Sequence, residues 1–371
     1  MDQLVLIAGG YGEVGRRLAA HLARAYPGRV IVAGRSIERA RQAAQVLGQG
    51  ARALAVDVNE TASVERALEG VAMVVCCVEQ TAPYTLLSVA AARGIAYTDL
   101  TASSIWRPAL ALRAEAEARG ARIVLGAGLV PGISSAMARA AADRLGPLES
   151  VDTALLLSVG DAFGPDSLEY LLRELAAPLA VTVSGRARIV ACFSEPRTVE
   201  FPAPIGQRTG WRAPFADQHF FPRSLGVATA TTRLALDPPW MGAVIAAVLR
   251  GGAGRLLHRE AFRSLVRRLV SAAHRRHEGS DRWALVVDAS GQRGRAHFSL
   301  AGRGQAEATA TAASVLVGML YDGAIKRPGV WFAEQVVEPE RFFAGLREAG
   351  LDVTRGVTIG AAQREGNGGA A

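Results

Sequence analysis

A β-rich run, Leu4–Ala8, passes without a linker into Gly9-Gly10-Tyr11-Gly12-Glu13-Val14-Gly15. Gly10, Gly12 and Gly15 fit the pattern G-x-G-x-x-G. The first glycine makes a tight turn, the second lets a pyrophosphate approach the backbone, and the third lets helix and strand pack closely. A helix opening at Glu13 and Val14 offers free N–H groups and a positive dipole end to the phosphates. Strand, loop and helix together predict dinucleotide binding, with Gly10, Tyr11, Gly12, Glu13, Val14 and Gly15 around the cofactor.

The pattern continues for 130 residues. Apolar runs at Val30–Ala33, Ala53–Val56, Met73–Val78 and Ile123–Leu125 alternate with amphipathic segments such as Glu13–Ala25 and Ile37–Leu47. Continuous apolar strands joined by helices mean a parallel sheet covered on both faces. From Val151 to Gly304 the runs instead alternate apolar and polar residues, and Ser290-Gly291-Gln292-Arg293-Gly294 reads as a hairpin connection. Helical patterns resume at Ala306–Leu320 and Pro339–Ala349. The expected fold is α/β, a Rossmann-type doubly wound parallel sheet plus a second α+β domain with a mixed, largely antiparallel sheet. Residues 1–130 and 306–356 make a discontinuous dinucleotide domain, 131–305 a substrate and dimerisation domain, and 357–371 a disordered tail.

NAD-selective enzymes usually carry an acid at the end of the second strand, for the ribose. Here the sequence is Ala33-Gly34-Arg35-Ser36, with Arg39 one turn later. Arginine pairs with a 2′-phosphate and stacks on adenine, and Ser36 adds a hydroxyl or simply caps the next helix. NADP(H) is therefore expected over NAD(H). Asp57 and Val58, after the third strand, are placed beside the adenine; for Asp57, stabilising the following turn is the alternative.

Composition excludes several classes. Lys326 is the only lysine beside 41 arginines, so a lysine-based mechanism must use Lys326. Such a skew fits a coding bias, and aromatics are only 6%, so the net charge of +8 does not argue for nucleic acid. Between Arg250 and Arg282 nine arginines face three acids, a local charge of +6, read as a solvated helical face. His274 and His277 lie in that segment without a third ligand, so no metal site is expected. No Tyr precedes a Lys by four positions and no G-x-S-x-G is present. No apolar run approaches the ~20 residues of a membrane span. Three cysteines without a CxxC pair, and a first strand close to Met1, point to the cytoplasm.

Further runs are Gly94-Ile95-Ala96-Tyr97-Thr98-Asp99-Leu100-Thr101, Gly126-Ala127-Gly128-Leu129-Val130-Pro131-Gly132, and Pro328-Gly329-Val330-Trp331 before Pro339-Glu340-Arg341-Phe342-Phe343. With the glycine loop and Ala33-Gly34-Arg35, they resemble the saccharopine dehydrogenase-like family of NAD(P)-dependent oxidoreductases. The resemblance spans residues 4 to about 353. It implies a nucleotide domain built from both chain ends, and a nicotinamide near Cys77–Pro83, Asp99–Thr101 and Leu129–Gly132. Cys77, Pro131 and Gly132 are accordingly cofactor candidates. Pro131-Gly132 either presents a helix N-terminus to an anion or is an ordinary helix start.

Asp99 follows a predicted strand, Ile95–Tyr97, at the carboxyl edge of the sheet. It is the expected catalytic group, oriented by Tyr97 or Thr101, with an Asp that braces the turn as the alternative. Trp211, Arg212, Phe215 and Asp217, in a predicted loop, are the expected substrate contacts, and Met241–Leu249 is a core helix or dimer face. The expected activity is NADPH-dependent hydride transfer at a C–N centre of a small amino-acid-like metabolite, by a homodimer paired through the sheet domain. Reduction of a lipid or carrier-bound enoyl C=C bond, and a non-catalytic NADP sensor or scaffold, are the alternatives.

Overall fold

The computed structural model describes residues 3–100, 102–158, 160, 174–175, 177–252, 259–261, 263–264, 266–268 and 281–359, with backbone alone for 102–104. The chain opens with six strands, β1 (Leu4–Ala8), β2 (Val30–Gly34), β3 (Arg52–Ala55), β4 (Val71–Cys76), β5 (Ala96–Asp99) and β6 (Arg122–Leu125). Between and after them run α1 (Glu13–Ala25), α2 (Ile37–Leu47), α3 (Thr61–Ala67), α4 (Thr85–Ala92), α5 (Ala102–Ala111), α6 (Arg113–Arg119) and α7 (Ile133–Leu145). Near the far end β15 (Gly329–Phe332) joins the same sheet, in the order β15-β6-β5-β4-β1-β2-β3. Every pair in it is parallel. β1 and β2 are buried along their whole length, as their unbroken apolar sequences require of a sheet covered on both sides.

The central part builds a second sheet from β7 (Leu148–Ser158), β8 (Leu179–Val183), β9 (Arg186–Val190), β10 (Arg197–Phe201), β11 (Gly206–Arg212), β12 (Thr229–Asp237), β13 (Arg282–Gly291) and β14 (Gly294–Arg303). Its ninth strand, β16 (Thr354–Ile359), follows β15 in the chain. The order is β10-β11-β12-β7-β13-β14-β16, with β8 on β12 and β9 on β8. Only β12 with β7 is parallel. This region also carries the helices α8 (Asp217–Ser224) and α9 (Trp240–Arg250). Three more follow it: α10 (Gln305–Tyr321), α11 (Ala333–Val336) and α12 (Pro339–Glu348).

The returning segment is tied to the N-terminal half. The rings of Tyr26 and Tyr321 lie 4.5 Å apart, and Glu307 binds Arg17 at 3.1 Å and His21 at 2.7 Å. α12 buries Phe342, Phe343 and Leu346, each contributing on the order of 2 kcal/mol of apolar burial. α7 packs against β7, β13 and β14 on one side and α11 and α12 on the other, and nine of its thirteen residues are buried. It is the helix that joins the two sheets.

Two expectations change here. Val357, Thr358 and Ile359 belong to β16, paired with Ala296, Arg295 and Gly294 of β14, rather than to a tail; residues 360–371 lie outside the described set. Thr354, Val357, Thr358 and Ile359 are β-branched and suit a strand, and pairing with β14 fixes it. Trp211 and Arg212 end β11, and Asp217 opens α8, so this stretch is not one loop.

Candidate active site

At the glycine loop two side chains would not fit. A Cβ on Gly9 would lie 2.5 Å from Val78 Cγ1, and one on Gly15 would lie 2.2 Å from the Gly9 carbonyl oxygen. Gly12 caps α1 without any side-chain hydrogen bond to the first helical turn at Glu13 and Val14. Burial pulls the Glu13 carboxyl up, but Arg16 at 2.8 Å and Arg17 at 2.9 Å outweigh it and hold it below its usual range. Two guanidiniums thus offset the one acid beside a pyrophosphate site. The cradle fits a dinucleotide.

Gly34 ends β2 beneath Tyr11: a Cβ there would meet the ring at 2.5 Å. The Arg39 guanidinium lies over the ring at 4.5 Å, and the Ser36 amide donates to the phenol oxygen at 3.2 Å. The Ser36 hydroxyl accepts from the Arg39 amide as the cap of α2 and donates to Glu38 at 3.0 Å, which makes it the helix cap foreseen as its alternative. Arg35 is exposed and has no ion pair among the described residues. Asp57 accepts from the Asn59 amide at 3.0 Å, the turn-bracing arrangement, and Val58 is buried beside it.

Beyond the carboxyl ends of β4 and β5 lies a buried polar knot. Tyr97 donates its hydroxyl to Asp99 Oδ2. Gln80 Nε2 donates to the Tyr97 oxygen at 2.7 Å and to Asp99 Oδ2 at 3.4 Å, while its Oε1 accepts from the Leu87 amide at 3.2 Å. Tyr97 and Asp99 are fully buried. Burial, then the charge of Asp99, pushes the Tyr97 phenol well up, so the proton stays on tyrosine. The same two causes raise both Cys76 and Cys77, leaving neutral, unreactive thiols. Asp99 is the last residue of β5 rather than part of a following loop. Thr101 lies outside the described residues. Gln80 had no sequence signal; only the fold brings it to Asp99.

The loop after β6 closes on itself. A Cβ on Gly132, where φ is +140°, would sit 1.9 Å from the Gly128 oxygen. The amides of Ile133 and Ser134 donate to Gly128 and Leu129 carbonyls at 3.0 and 3.3 Å. Pro131-Gly132 therefore makes an ordinary helix start, with α7's first N–H groups already used.

The expected substrate residues divide. Trp211 stacks on Phe193 at 6.5 Å, Arg212 is bound to Glu195 at 2.8 Å, and Phe215 is half-buried. Asp217 is fully buried, and burial, opposed by Ser134 and reinforced by Glu334, raises it to about 8. Glu334 is raised too, by burial first. This carboxyl pair is closed off from solvent.

His219, one turn beyond Phe215, faces the other way. Its ring stacks on Trp106 of α5 at 6.2 Å. Arg107 and Arg223 both approach that indole, at 4.9 and 4.6 Å from its centre. Arg223 also donates to the His219 carbonyl at 2.6 Å, and neither guanidinium has a carboxylate partner among the described residues. Burial, then Arg223 and Arg107, lowers the imidazole to about 4, so it is neutral at pH 7. Phe220 joins the group, 6.5 Å from Trp106 and 4.1 Å from Phe332 at the end of β15. The cluster thus closes against the carboxyl edge of the parallel sheet, where open sheets of this kind bind ligands.

Residues 5–124 match the saccharopine dehydrogenase NADP binding domain. That match spans about a third of the chain and makes this part an NAD(P)(H)-binding domain. Among solved structures, apo saccharopine dehydrogenase (L-Glu forming) from Saccharomyces cerevisiae matches with a TM-score of 0.69 at 16% identity, covering 96% of this chain and 100% of that one. The two share their fold. GenD2 from gentamicin A biosynthesis, in complex with NAD, covers 96% of this chain and 97% of its own at 15% identity and a TM-score of 0.44. Serine dehydrogenase from Escherichia coli covers 33% of this chain and 81% of its own, at 15% identity and a TM-score of 0.27. No curated protein matches the sequence. Among the described residues no helix is long and apolar enough to cross a membrane.

Proposed function

We propose that the chain transfers hydride between NADP(H) and a C–N centre of a small, carboxylate-bearing, amino-acid-like metabolite. The observation that carries this reading is the pair Arg107 and Arg223 on one indole, with neutral His219 and no acid among the described residues to neutralise them. Two guanidiniums held without a carboxylate partner fit an anionic substrate. They lie at the sheet edge where the nicotinamide of such a fold is expected. The cofactor supplies the hydride, and the protein positions and polarises.

Asp99 is the nominated anion beside the C–N centre, steadied by Tyr97 and Gln80. An iminium carries its own activating charge, so a fixed negative group near it lowers the barrier without moving a proton. Arg35 supports NADPH over NADH, because it stands uncommitted where an acid would select the free ribose. The free cysteines support a reducing, cytoplasmic setting.

NADPH oxidation with 2-oxo acids plus amines, with imines lacking a carboxylate, and with enoyl thioesters tests the reading. Turnover confined to carboxylate-bearing imines is expected. Turnover of enoyl thioesters alone would sink it.

A further inference from the structure

We infer that Tyr11 sets the preference for NADP(H): its hydroxyl donates to the 2′-phosphate, and its ring holds the Arg39 guanidinium beside that phosphate. The inference rests on the reading of NADP(H) as the cofactor and deepens it from one arginine to a built pocket. Tyr11 stands between Gly10 and Gly12 in the glycine loop. Its side chain nevertheless reaches the end of β2, where a fold of this class places the adenosine ribose. There the Ser36 amide donates to the phenol oxygen at 3.2 Å. A phenol has a proton to give as well as lone pairs to offer, and among the described residues nothing accepts that proton. The Ser36 hydroxyl is already engaged, accepting from the Arg39 amide at 3.2 Å and donating to Glu38 at 3.0 Å.

The seat of the ring is cut to its shape. A Cβ on Gly34 would lie 2.5, 2.7 and 2.7 Å from Cε1, Cζ and Oη of Tyr11, its three nearest atoms. Gly34 has no positive φ to require a glycine, so what its missing side chain provides is room for the phenol. The Arg39 guanidinium carbon, 4.5 Å from the ring centre, is within cation–π range. Arg39 is otherwise exposed and, like Arg35, has no carboxylate partner among the described residues. Two guanidiniums and a donor hydroxyl at one strand end suit a phosphate, which accepts a charge-assisted hydrogen bond from each. The neutral 2′-hydroxyl of NAD(H) would leave both cations unpaired.

The test is calorimetric titration of the full chain with NADPH and NADH, and with 2′,5′-ADP and 5′-AMP, which differ only in the 2′-phosphate. Tyr11→Phe keeps the ring, its contact with Gly34 and the Arg39 stack, and removes only the proton. It should weaken NADPH and 2′,5′-ADP by about tenfold, the size of one charge-assisted hydrogen bond, with NADH and 5′-AMP held within about twofold. Gly34→Ala removes no donor but displaces the ring, and should lower the same selectivity at least as far. Either variant decides the matter if the other fails to fold. An unchanged ratio of NADPH to NADH affinity overturns the role of Tyr11 while leaving NADP(H) as the cofactor. Equal loss for all four ligands also overturns it, by making the tyrosine a prop of the loop. Tighter NADPH binding by Tyr11→Phe would make the phenol a competitor for the Ser36 amide and equally overturn it. No preference of the unmodified protein for 2′,5′-ADP over 5′-AMP overturns both this role and the NADP(H) reading.

Discussion

Arg39 lies 4.5 Å above the ring of Tyr11, which also closes on Gly34. This stack leaves Arg35 as the uncommitted guanidinium at the end of β2. NADPH should therefore bind more tightly than NADH. Arg35→Asp should cost NADPH ~1.5–3 kcal/mol, the worth of a charge-assisted contact, with little effect on NADH. Fluorescence titration of both cofactors measures this, and equal affinities in the unmodified protein would contradict it.

Arg223→Gln removes one of the two guanidiniums on Trp106 and keeps a donor to the His219 carbonyl within reach. KM for a carboxylate substrate should rise by about tenfold or more, equivalent to ~1.4 kcal/mol, while kcat changes less. Arg107→Gln should act in the same direction. The same KM change with a substrate lacking the carboxylate would show that packing, rather than charge recognition, had been lost.

Asp99→Asn places an amide among Tyr97 and Gln80, which already donate toward that position. NADPH affinity should hold, and turnover should fall by one or more factors of ten, each ~1.4 kcal/mol of barrier. Unchanged kcat with a lowered melting temperature would make Asp99 a brace of the sheet edge.

Asp217 and His219, two residues apart, pull stability in opposite directions. Asp217 is raised from 3.8 to about 8, so its contribution is complete below pH ~4 and is lost as pH rises toward 8. His219 is lowered from 6.5 to about 4, so its contribution is complete above pH ~6.5 and is lost as pH falls toward 4. Asp217→Asn should flatten the decline in melting temperature on the alkaline side, and His219→Gln the decline on the acid side. Parallel curves for variant and parent would contradict the assignment.

Ending the chain at Val353 removes β16, the strand on β14, together with the Arg355 contacts to Glu340 at 2.7 Å and to the Phe343 ring at 4.6 Å. The melting temperature should drop by several degrees, whereas ending it at Ile359 keeps the strand and should cost less than about one degree. Equal losses would show that β16 adds nothing.

The parallel sheet was readable because its strands are unbroken apolar runs and its glycines have steric work: Gly15 admits no Cβ against Gly9. β11 was not, since Gly206-Gln-Arg-Thr-Gly-Trp-Arg has two glycines and only Thr209 and Trp211 among the residue types that mark strands. Arg107 and Arg223 were invisible among 41 arginines, because only tertiary contact singles out the two that share Trp106. His219 lies two residues past Asp217, the last expected substrate contact, and stacks on Trp106 while Asp217 is buried. The apolar run Met241–Leu249 was legible as a helix. That Trp240, Val244 and Val248 are exposed while Ile245 and Leu249 pack on the core is set by tertiary contact, which no local pattern records.

The chain passes from the parallel sheet to the mixed one through α7, returns through α10 to β15, and leaves again after α12 to end in β16. Three covalent segments therefore run between the two sheets. A protease cutting any one of them leaves the two bodies tethered by the other two, so nicked protein should migrate intact until denatured. Any movement of one sheet against the other has to bend all three segments together, which favours a narrow rocking motion over a free swing about a single hinge.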